Sequence, residues 1–266
     1  MQRRARAGGR VLTRVLGVGV LTGWGAGVEA LPEDARRAAG DRHVITLPTP
    51  AVSGERFRRA TRECLLAVAA VDAALRDGGL DRAAIAGPRT ALVYVTAAAY
   101  GASNKTFITG GGPLYFPYTA PSAVPAEVAI EFGLTGGYVI LVGGSATAVD
   151  ALWQASMLLA GGRADRALVL AVETFEECED LWARGRWTTP RPLVEAAACA
   201  VLSRGSASAR ESEEGATLER IVARRAGEML ACAPLVALAL ARAAAAPSAR
   251  VTGQWRGRRA EIALAI

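Results

Sequence analysis

Apolar positions along this chain follow two periods in turn. The runs at 90–96 (TALVYVT), 138–142 (YVILV) and 167–173 are continuously β-branched and apolar, the pattern of strands buried on both faces. Other stretches have helical spacing. Phe57, Cys64, Val68, Val71 and Leu75 make one stripe, closed by Gly78 and Gly79, which predicts a helix over 57–75. Val149, Leu152, Trp153, Ser156 and Ala160 make a second, closed by Gly161 and Gly162. A shorter helix is predicted over 122–132, with Pro125 tolerated in its first turn.

The connecting segments read as follows. Residues 11–28 predict a strand running into a Gly-rich loop, and 33–54 a surface loop that holds His43. Residues 97–118 predict a long loop of the kind that lines a pocket or a subunit contact. The runs AAACAVLSR and ATLERIVARR read as two strands around a polar loop at 206–215, and a helix over 229–245 precedes a short C-terminal strand. Strands alternating with helices across 11–205 argue for a layered α/β domain with a mostly parallel sheet.

The junction between the second apolar strand and its helix is the most informative place in the chain. Gly143 and Gly144 permit a sharp turn that sets Ser145 at the mouth of the helix, where backbone amides favour a developing negative charge. Two roles fit a serine there, a nucleophile or an N-cap. The nucleophile needs a base. The GxSxG elbow fails because Thr147 stands where the second Gly belongs, and no His follows Ser145. Lys105, the only lysine, has no Ser three residues before it and no Tyr four residues before it. The cap is therefore the favoured role.

The same residues carry a family resemblance. Strand, tight turn, nucleophile position, helix with a Gly stop and the strand ADRALVLAVE resemble the active-site region of the β-ketoacyl-acyl-carrier-protein synthases of the thiolase superfamily. GVGVLT at 17–22, the helix text RFRRATRECLLAVAAVDAALRDGGLD and RPLVEAAACAVL are similar to further blocks of that family. The resemblance implies one half of a thiolase-like fold, a mixed five-stranded sheet between helices, over residues 11–225. Residues 1–10 would be a basic tail, and 226–266 a helix and short strand left from the second half. Ser145 stands where the family has its Cys. The two His residues of the family's second half have no counterpart, and Gln254 falls near the place of the first. Glu195 matches a Glu that the family uses structurally, here followed by Ala196 and Ala197.

Composition removes several function classes. With 266 residues, 52% hydrophobic content and four cysteines lacking any CxxC or zinc spacing, the chain builds a core without disulfides or metal, as expected of a reduced cytoplasmic protein. The net charge of +6 is almost wholly Arg, with no aromatic interleaving, so nucleic acid is not an expected partner. The apolar run at 226–246 is broken by Glu228, Pro234 and Arg242, which argues against a membrane span. Gly17, Gly19 and Gly23 miss the GxGxxG fingerprint, and the Gly110–Gly112 run lacks the P-loop Lys, so no cofactor is expected. Asp150 reads as a solvated or helix-N-terminal carboxylate, and Cys178 and Cys199 as core or loop thiols without a partner to lower their pKa.

By resemblance, the implied function is that of a chain-length factor. Such a protein is a non-condensing relative that pairs with an active synthase and an acyl-carrier protein in fatty acid or polyketide biosynthesis of the aryl polyene type. The resemblance also implies a dimer, with a synthase or with itself, through the strand at 138–142. The alternatives are a Ser145-dependent acyltransferase or hydrolase, or an inactive truncated synthase.

Overall fold

The computed structural model describes residues 13–175, apart from 53, 56, 58, 59, 100 and 111, together with 191–205 and 215–266. Strand β1 (Thr13–Thr22) is followed by the two-residue β2 (Gly25–Ala26), α1 (Ala35–Ala39) and β3 (Val44–Ile45). Then come α2 (Arg62–Asp77), β4 (Thr90–Thr96), α3 (Gly101–Ile108), a 3-10 stretch at Pro113–Thr119 and α4 (Ala123–Phe132). The centre of the chain is β5 (Tyr138–Val142), α5 (Ser145–Ala160), β6 (Arg166–Glu173), β7 (Leu193–Val194) and β8 (Ala196–Arg204). It ends with α6 (Gly215–Arg225), a 3-10 turn at Leu230–Cys232, α7 (Ala233–Ala243) and the hairpin β9 (Ser248–Trp255) and β10 (Arg258–Ala265).

The main sheet runs β5-β4-β6-β8-β1-β10-β9, with β2 paired to β1. β4, β5 and β6 are parallel, and β8 runs antiparallel to both β6 and β1. Five strands, β5 to β1, are the expected mixed sheet; the other three enlarge it. β10 joins β1 through one residue pair, Arg14 with Ala265, and forms an eight-pair antiparallel ladder with β9. Every side chain of β4 is buried, as its unbroken apolar run requires.

Two cores lie on the two faces of the sheet. α2 and α4 cover one face with Cys64, Leu66, Val68, Val71, Val128 and Phe132 against Leu92, Tyr94 and Leu170. α5 and α7 cover the other, with Val149, Leu152, Leu159, Leu235 and Leu238 against Val93, Val169 and Ala200. α5 also packs against β9 and β10, so it is clasped between the sheet and the C-terminal hairpin.

The sequence expectations need five corrections. Residues 215–225 are a helix, because Leu218, Ile221 and Val222 follow a spacing of three and four rather than two. The expected loop at 97–118 contains α3 and a 3-10 stretch, whose weak apolar pattern hid them. The expected short final strand is a two-stranded hairpin turning at Arg256 and Gly257, both with positive φ. Finally, β5 is the edge strand rather than one buried on both faces: Tyr138 is 50% and Val142 58% exposed. The expected surface loop at 33–54 holds α1 and β3, and the carbonyl of His43 accepts a hydrogen bond from Leu193 N–H. Residues 1–10, Cys178 and the loop at 206–214 lie outside the described residues. No described helix is long and apolar enough to cross a membrane.

Candidate functional site

Ser145 lies at the strand-to-helix turn, as its flanking glycines require. It is the first residue of α5, and Gly144 is the N-cap. The expected cap is therefore corrected: no side chain caps this helix, and Ser145 Oγ points instead at the C-terminal hairpin. Its hydroxyl donates to the Gln254 carbonyl at 2.7 Å and accepts from Gln254 N–H at 3.1 Å. Both halves of the hydroxyl are committed to one backbone unit 109 residues away.

The hairpin reaches the turn because two glycines let it. A Cβ on Gly144 would lie 2.4 Å from the Trp255 ring, and a Cβ on Gly253 would lie 2.3 Å from the Ser145 carbonyl oxygen. Neither contact is physically tolerable, so Gly144 and Gly253 are the residues that allow β9 onto the helix N-terminus. One turn further along α5, Asp150 forms a two-pronged ion pair with Arg258 at 2.5 and 2.6 Å. Asp150, read in the sequence as solvated or helix-terminal, is thus a second fastening of the hairpin.

A cavity of about 230 Å3 lies beside Ser145, lined in part by Arg191, Glu219, Glu228 and Thr252. Glu219 accepts from the Thr252 hydroxyl at 2.7 Å, and Glu228 accepts from Leu230 N–H. Neither carboxylate bonds Ser145, whose proton goes to a carbonyl. A hydroxyl in that state is a poor nucleophile, since no described residue beside it is bonded so as to take its proton.

The remaining candidates are held for structural ends. Glu195 is buried and accepts from Phe175 N–H at 2.7 Å and Leu47 N–H at 2.8 Å, and it pairs with Arg62, which also donates to the Leu47 carbonyl. Burial raises its pKa, but the Arg62 bond and the two amides outweigh burial and hold the carboxyl below its ordinary value. Cys64, Cys199 and Cys232 are buried, and burial pushes all three thiols up, Cys64 to about 12, so they are unreactive. Among the described residues no cluster of His, Cys, Asp and Glu is placed to hold a metal ion.

The resemblance points to one partner of this site, Gln254, near the place of the family's first His, and Gln254 is the residue that meets Ser145. Gly253, Trp255 and Arg258, which bear on Ser145 and Asp150 across more than 100 residues, carried no such mark beyond the hairpin signal at Arg256 and Gly257. Glu173, which ends β6 fully buried, was also passed over. A charge at the close of an otherwise apolar strand was its one visible mark.

Removing the Ser145 hydroxyl strips the Gln254 N–H and carbonyl of a partner. Gln254 is exposed, so water replaces part of what is lost, and Ser145→Ala will cost about 0.5–1.5 kcal/mol of stability, to be measured by urea denaturation. Intact-mass spectra after incubation with an acyl-carrier thioester are expected to show no acyl adduct on either the unaltered chain or the variant.

Residues 20–192 match the family model for the β-ketoacyl synthase N-terminal domain. No curated protein matches the sequence. Among solved structures, the fold is similar to a chain from a type II polyketide synthase acyl-carrier protein in complex with its ketosynthase bound to the hexaketide. The TM-score is 0.74 at 14% identity, covering 97% of this chain and 100% of that one. It is also similar to the ishigamide ketosynthase/chain length factor, with TM-score 0.67 at 18% identity over 95% of this chain and 98% of that one. A β-ketoacyl synthase from Burkholderia phymatum STM815 matches at TM-score 0.58 and 15% identity, over 81% and 69% of the two chains. At such identities the likeness is one of fold, and in the first two cases it runs through the C-terminal helix and hairpin as well.

Proposed function

The chain belongs to the β-ketoacyl synthase family, and from that premise we propose that it is a non-condensing member, pairing with an active ketosynthase in the manner of a chain-length factor. The observation that carries this reading is the double hydrogen bond between Ser145 Oγ and Gln254. The position that would form an acyl-enzyme is occupied by a hydroxyl already bonded on both sides, beneath a hairpin fastened by Asp150 and Arg258. The chain therefore acts through a partner.

The edge of the sheet supports the same reading. β5 leaves one edge unpaired and shows Tyr138 and Val142 to solvent. Trp153 and Met157, one turn apart on α5, are 55% and 51% exposed. Ile130 on α4 and Phe116 in the 3-10 stretch are 68% and 63% exposed. A bare apolar edge is an association site unless something covers it. The partner proposed for it is a complete ketosynthase, which supplies the reactive thiol and the histidines, with an acyl-carrier protein delivering substrate in the cytoplasm. The pathway is fatty acid or polyketide synthesis of the aryl polyene type.

Co-expression with a complete ketosynthase and its acyl-carrier protein tests the proposal. The two chains are expected to co-elute one to one on size exclusion, and product is expected only when both are present. A chain that elutes alone as a stable monomer, or a product yield independent of it, would sink the reading. A stoichiometric acyl adduct on Ser145 would replace it with an acyltransferase or hydrolase.

A further inference from the structure

The tip of the C-terminal hairpin carries a residue that its backbone disfavours. Trp255 and Arg258 oppose each other across the ladder, so the turn between them is Arg256 and Gly257, with φ of 48° and 78°. A two-residue turn of that kind selects Asn or Gly, which enter the left-handed region at little cost. Gly257 meets the requirement, and Arg256 does not. The Arg256 side chain is exposed and lies over the Trp255 ring, 5.5 Å from its centroid. Among the described residues no carboxylate pairs with it, although Arg258 and Arg259 each have one. Backbone strain that folding contacts do not explain is characteristic of functional positions.

The neighbours of Arg256 set it beside an apolar face. Trp255 and Arg258 share one side of the hairpin, because directly opposed residues of an antiparallel pair point the same way. That side lies on α5, with Trp255 against Gly144 and Arg258 on Asp150. Trp153 follows Asp150 by three residues and Met157 follows Trp153 by four, so the three lie along one stripe of the helix. Trp153 and Met157 are both more than half exposed. The hairpin tip therefore borders a bare aromatic and thioether surface with an uncompensated guanidinium, the layout of an apolar contact with a charged rim.

We infer that Arg256 is a recognition residue for the partner ketosynthase: the pairing surface continues from Trp153 and Met157 onto the hairpin tip, where the partner presents a carboxylate. The inference rests on the pairing proposed above. Arg258 is neutralised by Asp150, which leaves Arg256 as the cation at this tip without a counter-charge. A guanidinium at the rim of a contact acts chiefly by steering the encounter and by rejecting partners of like charge. Stacked on Trp255, it is already ordered before the partner arrives, so less freedom is lost on binding.

Pairing kinetics of the intact chain with a complete ketosynthase test the inference. Arg256→Gly removes the guanidinium and relieves the turn. Its urea midpoint is expected to hold or rise, while its association rate falls by about three- to tenfold at low salt. Arg256→Glu should slow association by at least about 30-fold, and both deficits should shrink as NaCl is raised to about 0.5 M. Arg259→Ala, whose side chain faces Glu219 on the other side of the hairpin, is the control and should pair at the unaltered rate. A purely structural Arg256 predicts a stable Arg256→Gly variant with unchanged pairing. That result would overturn the inference and leave the pairing itself standing. Lost product with unaltered pairing would also overturn it, by assigning Arg256 to the acyl-carrier protein. Should the unaltered chain fail to pair at all, the inference and the reading beneath it both fall.

Discussion

Glu195→Ala will destabilise the chain by about 3–5 kcal/mol, the cost of leaving a buried ion-pair partner uncompensated. Glu195 is fully buried and Arg62 is 16% exposed, so little water reaches the orphaned guanidinium. The amides of Leu47 and Phe175 lose their acceptor in the same step. Thermal unfolding should shift downward by roughly 6–20 °C for a domain of this size. A loss under about 1 kcal/mol would mean that the network is solvated in solution.

The same carboxyl sets an acid limit. Its folded pKa is held below the ordinary 4.5, so its stabilisation is present above pH 4.5 and is lost as pH falls through the folded value. Urea midpoints measured downward from neutral pH should therefore fall below pH 4.5 in the unaltered chain, and the Glu195→Ala variant should lack that component.

Trp153→Asp, alone or with Val142→Asp, is the second large effect expected. Both side chains are more than half exposed in the isolated chain, so folding stability should change by only about 0.5 kcal/mol. If this face is covered by a ketosynthase, burying a carboxylate there without a partner removes an aromatic anchor and adds an unpaired charge. Trp153→Asp should weaken pairing by at least about 30-fold, and the double variant by more than about 100-fold. Ile221→Asp, on α6 and away from that face, is the control and should leave pairing unchanged. Equal affinities for all variants would exclude this face as the pairing surface.

The unbroken apolar run of 90–96 and the Gly-bounded stripes of α2 and α5 could only be a buried strand and two packed helices, because period and punctuation are local properties. The Gly143–Gly144 turn placed Ser145 correctly for the same reason. Local pattern failed where two geometries share a composition. YVILV reads the same whether a strand is central or stands at an edge, and its partners are chosen by sheet order. ATLERIVARR holds β-branched residues at a helical spacing, and its burial against α7 and β9 settled the outcome.

The sequence by itself determined the α/β class, the strand-turn-helix at Ser145 and that no His follows Ser145 in the chain. Only the tertiary structure decided what Ser145 does. Its hydroxyl is consumed by Gln254, and that contact depends on Gly144 and Gly253 allowing two backbones within van der Waals distance. No sequence period encodes an approach of that kind. It arises when a hairpin and a helix far apart in the chain are pressed together by the burial of their shared apolar faces.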